Sequence, residues 1–202
     1  MDKKIVLITA HPALEKSRNN KKMIAAARAM ADMNVQVRDL YELYPKFDVH
    51  VKREQSLLEA ADVILLQHPF YWYSIPALMK QYLDTVFSYG WAYGKKSGVL
   101  KDKCFLNVIT TNGTRESYRT GGHNRFDLAA FLVPFSQLAY VCKMHYLPPF
   151  VLFESGKISE LQSQQHAGRF SRFLQILAGT QWDVPQLQQL ELINDLPALK
   201  EN

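Results

Sequence analysis

Residues 62–87 read DVILLQHPFYWYSIPALMKQYLDTVF, and the pattern changes twice along them. The first six, DVILLQ, are a short unbroken apolar run with β-branched members, which predicts a strand covered on both faces. The next nine, HPFYWYSIP at 68–76, hold four successive aromatics between two prolines and read as a loop. Residues 76–87 read as a helix, with Pro76 suited to its first turn. Strand, loop and helix in that order make half of a βαβ unit, and a parallel strand is expected next.

The alternation continues on either side. Upstream, KIVLITA at 4–10 predicts a first buried strand. After the turn HPALEK, Ser17 is placed as the N-cap of a helix running to about residue 32. NVQVRDL at 34–40 alternates as a second strand, the linker YELYPKFDV follows, and residues 52–61 are helical. Downstream, the glycine-rich stretch 88–103 predicts irregular structure, and CFLNVIT at 104–110 a fourth strand. Residues 111–124 form a polar loop, and 127–141 a helix that Pro134 kinks or starts late. A fifth strand or edge segment is expected at 146–153, around Pro148 and Pro149, and a last helix at 158–177. Five alternations with short connections imply an α/β fold: a five-stranded parallel sheet with helices on both faces, in the flavodoxin-like doubly wound order. The domain is expected to span residues 1–180. Residues 181–202 do not fit that unit and read as a tail, partly ordered at best, or as an arm packing on a partner.

The composition agrees with one ordinary domain. The chain has 202 residues, 48% apolar and 21% charged, enough to bury a core without disulfides or metals. Cys104 and Cys142 lie far apart in apolar surroundings and are expected as buried, reduced thiols, which suggests a reducing compartment. The apolar run 5–10 is too short for a signal peptide or a membrane span, so a soluble, cytoplasmic protein is expected. The net charge of +5 comes without a basic stripe interleaved with aromatics, which argues against nucleic acid. Lys16, Arg18, Lys21 and Lys22 cluster after the first strand, as a solvated helix face or as an attractor of phosphate.

In open parallel sheets ligands bind beyond the carboxyl ends of the strands. The loops after strands one, three and four should meet there, and they carry the least ordinary residues of the chain: HPALEKSRNN, HPFYWYSIP and TTNGTRESYRTGGHNR. The first loop has neither GxGxxG nor GxxxxGK[ST], which disfavours a Rossmann dinucleotide site and a P-loop. It sets His11, Ser17, Arg18 and Asn20 around a helix N-terminus, a place for phosphate; the plainer reading makes Ser17 a cap and His11 a turn residue. In the second loop Phe70, Tyr71, Trp72 and Tyr73 cannot all face a core. They suit a planar ligand held by stacking and backbone groups, or else a hydrophobic plug or dimer contact. In the third, Asn112-Gly113 is a turn-former that allows close backbone approach. Tyr118 and His123 could donate protons to a developing oxyanion, or simply lie on the surface. His68, before Pro69, reads as a structural hydrogen-bonder, and no HExxH, paired-cysteine or clustered-carboxylate pattern points to a metal.

At these loops the chain resembles the flavodoxin-like NAD(P)H:quinone oxidoreductase family, and looks most like the ancillary flavoproteins of bacterial glutathione-regulated potassium-efflux systems. The segments that carry the resemblance are AHP with SRNNKKM (10–23), LYELYPKFDV (40–49), REQ (53–55), QHPFYWYSIPALMKQYLDTVFSYGWAYG (67–94), ITTNGTRESYR (109–119) and CKMHYLPPF (142–150). The resemblance implies a bound flavin (FMN, or FAD as in the wider family), a homodimer, and ping-pong two-electron hydride transfer from NAD(P)H to a quinone-like acceptor. It implies as an alternative a regulatory subunit with weak or no reductase activity, held peripherally at the inner membrane by a potassium-efflux protein. Carried onto this sequence, the phosphate site is His11, Ser17, Arg18, Asn19 and Asn20. The isoalloxazine lies against Phe70, Tyr71, Trp72 and Tyr73, and against Thr110, Thr111, Asn112 and Gly113. Tyr118 matches the family's catalytic tyrosine, and His123 is offset by one position from its histidine. The usual Thr-Thr-Gly-Gly reads TTNG here, with Asn112 expected to tolerate a positive φ. A third reading, an electron carrier like flavodoxin, is disfavoured by the basic charge.

Overall fold

The computed structural model describes residues 2–95, 97–179 and 182–200. Strands β1 (Ile5–Thr9), β2 (Val35–Asp39), β3 (Val63–Pro69), β4 (Cys104–Thr110), β5 (His145–Tyr146) and β6 (Phe150–Leu152) form one parallel sheet. Its order is β2-β1-β3-β4-β5, with β6 also pairing β4. The helices are α1 (Arg18–Arg28), α2 (Leu40–Leu43), α3 (Val51–Ala60), α4 (Ala77–Val86), α5 (Leu128–Phe131), α6 (Val133–Val141), α7 (Glu160–Ala178) and α8 (Val184–Gln188).

The unbroken apolar strands follow from burial on both faces. Ile8, Ile64, Leu66, Phe105 and Ile109 point into a core with Leu78, Tyr82 and Val86 of α4 and Phe135 and Ala139 of α6. Ile5, Leu7, Leu65, Leu106 and Val108 point the other way, against Met23 and Ala27 of α1 and Phe170, Phe173 and Leu174 of α7. Every residue of β1, β3 and β4 is buried. Both cysteines are free and buried, and burial pushes each thiol up to about 11.

Several expected boundaries move for local reasons. The linker after β2 contains a helical turn, because the Asp39 carboxylate accepts from the N–H groups of Tyr41 and Glu42 at 3.2 and 3.4 Å. The expected helix over 127–141 is two helices, with Pro134 in the first turn of the second. The fifth strand is two short pieces on either side of Pro148-Pro149, since proline has no N–H to offer the ladder with β4. Ser17 precedes α1 but its side chain caps no backbone N–H.

The end of the chain is a larger correction. It was expected as a loose tail or a partner arm, yet residues 182–200 pack on the chain's own sheet. Leu187, Ile193 and Leu199 join the α1/α7 core, and the Ile193 N–H donates to the Pro149 carbonyl at 3.0 Å. Among the described residues no helix is long and apolar enough to cross a membrane.

Candidate active site

The parallel register places the carboxyl ends of β1, β3 and β4 together, so the three loops meet as expected. Specific bonds tie them. Asn20 Nδ2 donates to Thr110 Oγ1 at 2.9 Å, joining the first loop to the third. The rings of His11 and Tyr71 meet edge-on at 6.0 Å, joining first to second. Tyr73 Oη donates to Asn124 Oδ1 at 3.2 Å, joining second to third.

Two adjoining cavities open over this junction. One, of about 660 Å³, is lined by His11, Ser17, Arg18, Asn19, Asn20, Phe70, Tyr71, Thr110, Thr111 and Asn112, and by Ala13, Lys16, Ser155 and Gly156. The other, of about 520 Å³, is lined by Phe70, Trp72, Tyr73, Thr111, Asn112, Gly113, Tyr118 and His123, with Asn124 and Lys157 at its edge. They share Phe70, Thr111 and Asn112. The phosphate, isoalloxazine and catalytic residues carried over from the resemblance each line one cavity or both, whereas Lys21, Lys22 and His68 line neither.

The first cavity lies at the start of α1. The first intrahelical acceptor there is the Ser17 carbonyl, taken by Lys21 N–H, and among the described residues no side chain caps the turn. The leading N–H groups and the helix dipole therefore favour an anion in this cavity. The cradle is built from bonds among its own side chains. Asn19 Nδ2 donates to the Ser155 carbonyl at 2.6 Å, and its Oδ1 accepts from Ser163 Oγ at 2.6 Å. Asn20 Nδ2 also donates to Ser17 Oγ at 3.1 Å, leaving the hydroxyl proton of Ser17 free to donate. Burial holds His11 below its ordinary range, although Glu15 opposes this. Its Nδ1 accepts from Ala13 N–H at 3.2 Å. The ring is neutral near pH 7 and offers Nε2–H, so His11 brings a hydrogen bond and no charge. Arg18 turns partly outward, its guanidinium donating to the Ile158 carbonyl and lying 3.9 Å from Glu160. Lys16, also exposed, is a second cation lining this cavity.

The aromatic loop is a tight turn. Ser74 N–H donates to the Tyr71 carbonyl at 3.0 Å, and Trp72 and Tyr73 between them have φ of 49° and 62°. Two successive positive φ values define a type I′ turn, a conformation that glycine and asparagine adopt and aromatics resist. Trp72 is 92% exposed, whereas Tyr73 stacks on Phe131 at 4.9 Å and Phe70 is buried beneath. Neither Trp72 N–H nor Tyr73 N–H finds an acceptor among the described residues. Both residues line the second cavity.

In the third loop Tyr118 is buried, on a single 3₁₀ turn (Glu116–Tyr118), among Phe70, Phe131 and Phe153. Its hydroxyl pairs with Thr111 Oγ1 at 2.7 Å. Burial raises its pKa although Thr111 opposes this, so it stays a protonated donor at neutral pH. His123 is exposed on the rim of the same cavity. Asn112 and Gly113 both keep negative φ, which corrects the expected left-handed turn. Asn112 Oδ1 instead accepts from Ser155 Oγ and Gly156 N–H, each at 3.0 Å. Gly113 is required by space: a Cβ there would stand 2.6 Å from Tyr118 Cε2. Behind the site His68 is structural, as expected, bonded to the Pro69 carbonyl at 3.1 Å and to Asn107 Nδ2 at 3.1 Å.

Ser155 and Gly156 were not among the residues singled out. They sit just beyond β6, and the rule that sent attention to strands one, three and four applies equally to that strand end. Phe131 lies in the stretch 127–141 that was expected to be helical, and nothing there marked it for the site.

A family model described as flavodoxin-like fold matches residues 3–174. The general stress protein 14 of Treponema denticola, solved in complex with FMN, is 33% identical with a TM-score of 0.82, over 86% of this chain and 99% of that one. An NADPH-quinone reductase of P. pentosaceus is 29% identical with a TM-score of 0.76, over 89% and 99%. A structure called a thermophilic tryptophan halogenase, from Streptomycin violaceusniger, is 33% identical with a TM-score of 0.78, over 84% and 97%. The names differ across one fold, so activity has to be argued from the site.

Proposed function

The chain belongs to the flavodoxin-like family, and from that premise we propose that it is an FMN-dependent NAD(P)H:quinone oxidoreductase. The observation that carries this reading is the pair of adjoining cavities: an anion cradle at the start of α1, continuous through Phe70, Thr111 and Asn112 with an aromatic slot. A ligand with a phosphate at one end and a planar ring at the other matches that arrangement, and FMN in the Treponema denticola structure supports it over FAD.

In this reading the N–H groups opening α1, with His11 Nε2–H and Ser17 Oγ, hold the phosphate, while Arg18 and Lys16 supply positive charge at the rim. Asn19 and Asn20 fix the shape of the cradle. The N–H groups of Trp72 and Tyr73 meet the ring edge, and Phe70, Tyr71, Thr110, Thr111, Asn112 and Gly113 bound its face. When bound, the flavin supplies two-electron hydride chemistry, taken from a nicotinamide nucleotide and passed to a quinone in ping-pong order. Tyr118 keeps its proton on Oη beside Thr111 and steadies developing negative charge, with His123 at the mouth of the slot. The buried aromatic wall excludes water from one side. A second copy of the chain is expected to cover the other, over the exposed Phe126, Val133 and Tyr140; light scattering on the purified protein should return twice the chain mass.

The first experiment is an absorbance scan, with chromatography of whatever is released on denaturation. A flavin spectrum with FMN released, and NADH or NADPH oxidation that depends on added quinone, is the expected result. A colourless protein that stays inactive after addition of FMN and FAD would sink the proposal.

A further inference from the structure

Residues 182–200 lie beyond the family match, which ends at residue 174, yet they return to the site by two routes. The first runs through Arg115. Its guanidinium donates from Nη1 to Asp195 Oδ1 at 2.8 Å and from Nη2 to Asp195 Oδ2 at 2.7 Å, a two-pronged pair, and Nη2 also reaches Glu191 Oε2 at 2.6 Å. Arg115 opens the 3₁₀ turn that ends in Tyr118, and the Tyr118 N–H donates to its carbonyl at 3.2 Å. Tyr118 Oη then meets Thr111 Oγ1.

The second route runs through β6. The Asn194 side chain pairs with Val151 as a strand would, accepting from its N–H at 2.8 Å and donating to its carbonyl at 3.0 Å. The next carbonyl, that of Leu152, accepts from the Thr111 N–H at 2.9 Å. One segment therefore holds both ends of the Thr111–Tyr118 pair, and Leu187, Ile193 and Leu199 anchor it in the core.

We propose that Asp195 is a positioning residue for the flavin site, acting through Arg115 to hold Tyr118 against Thr111; its role in catalysis rests on the reading given under Proposed function. The physical basis is the position of Arg115. The guanidinium is only partly exposed, and its Nε has no partner among the described residues. Without the Asp195 carboxylate a half-buried cation loses its two-pronged acceptor, and the easiest relief is for the 114–118 turn to swing toward water. That movement takes the Tyr118 backbone with it, while Phe70, Phe131 and Phe153 hold only the ring.

The test compares wild type with Asp195→Asn, Asp195→Glu, Arg115→Gln and the double variant Asp195→Asn/Arg115→Gln. Amide exchange is read on the flavin-free protein, and FMN affinity by fluorescence quenching. The proposal expects exchange in 113–120 to rise about tenfold in Asp195→Asn, with β3 and β4 unchanged and FMN binding weakened about tenfold. Asp195→Glu should recover most of both, and the double variant should be no worse than either single change. Unchanged exchange in 113–120 overturns it, and so does an equal rise in every element, which would mark a merely structural role. Wild-type protein that refuses FMN would overturn the functional reading separately, because the exchange experiment judges the clamp without any flavin present.

Discussion

Glu54 is fully buried, and its carboxylate gathers three donors. Arg38 pairs with it, Tyr44 Oη donates at 2.5 Å and Tyr82 Oη at 3.2 Å. The cluster links β2, α3 and α4, the last being the helix into which the aromatic loop runs. Replacing Glu54 with Gln strands the Arg38 charge, and the expected loss is about 3–5 kcal/mol in urea unfolding. Gly113 makes a different prediction, because space and not backbone freedom is the constraint. Gly113→Ala puts a methyl 2.6 Å from a tyrosine ring that three phenylalanines hold in place. The ring must give way, so FMN affinity should fall roughly tenfold while the unfolding midpoint moves by about 1–3 kcal/mol.

The turn between β3 and α4 stores strain at the site. Trp72 and Tyr73 sit at positive φ, which costs on the order of 1–3 kcal/mol for each such residue. Trp72 is too exposed to be repaid by burial. Changing Trp72-Tyr73 to Asn-Gly, the pair this turn prefers, should therefore raise stability by about 1 kcal/mol in a denaturant titration despite the loss of the Tyr73–Phe131 stack. FMN binding should weaken in the same protein. A variant less stable than wild type would show that the stack outweighs the backbone strain. The turn lay in plain view as HPFYWYSIP, but its conformation did not, because nothing local in four aromatics favours φ above zero.

For the molecule as a whole, acid should be the weak side. Burial lowers His68 to about 4 and His166 to about 3, the latter with Nε2 unpartnered among the described residues, while both return to about 6.5 when the chain unfolds. Between those values the unfolded chain binds protons that the native protein refuses, so stability is lost as pH falls below 6.5. By pH 4.5 each histidine should account for roughly 2–3 kcal/mol of that loss. His166→Phe, against the Phe150 ring at 4.9 Å, should leave stability at pH 7 little changed and make the acid slope shallower, as measured by urea midpoints at pH 7 and 4.5. An unchanged slope would mean that water reaches the ring.

The alternation of strand and helix was legible residue by residue, because a strand buried on both faces must be apolar throughout and a connection must be polar or broken by glycine and proline. That pattern carried the sheet, the strand ends and hence the three loops of the candidate site. It could not carry what depends on partners far along the chain. Asn112 read as a turn residue, and its real role is to receive Ser155 and Gly156, 43 and 44 positions away. Leu187, Ile193 and Leu199 are too widely spaced to announce a core element, and they became one by joining Phe150 of β6 and Phe170, Phe173 and Leu174 of α7 in a single core. Arg115 and Asp195 stand 80 positions apart, and neither signals the other. Hydrophobic periodicity is a local property and survives in the sequence, whereas hydrogen bonds between loops exist only once folding has brought their ends together.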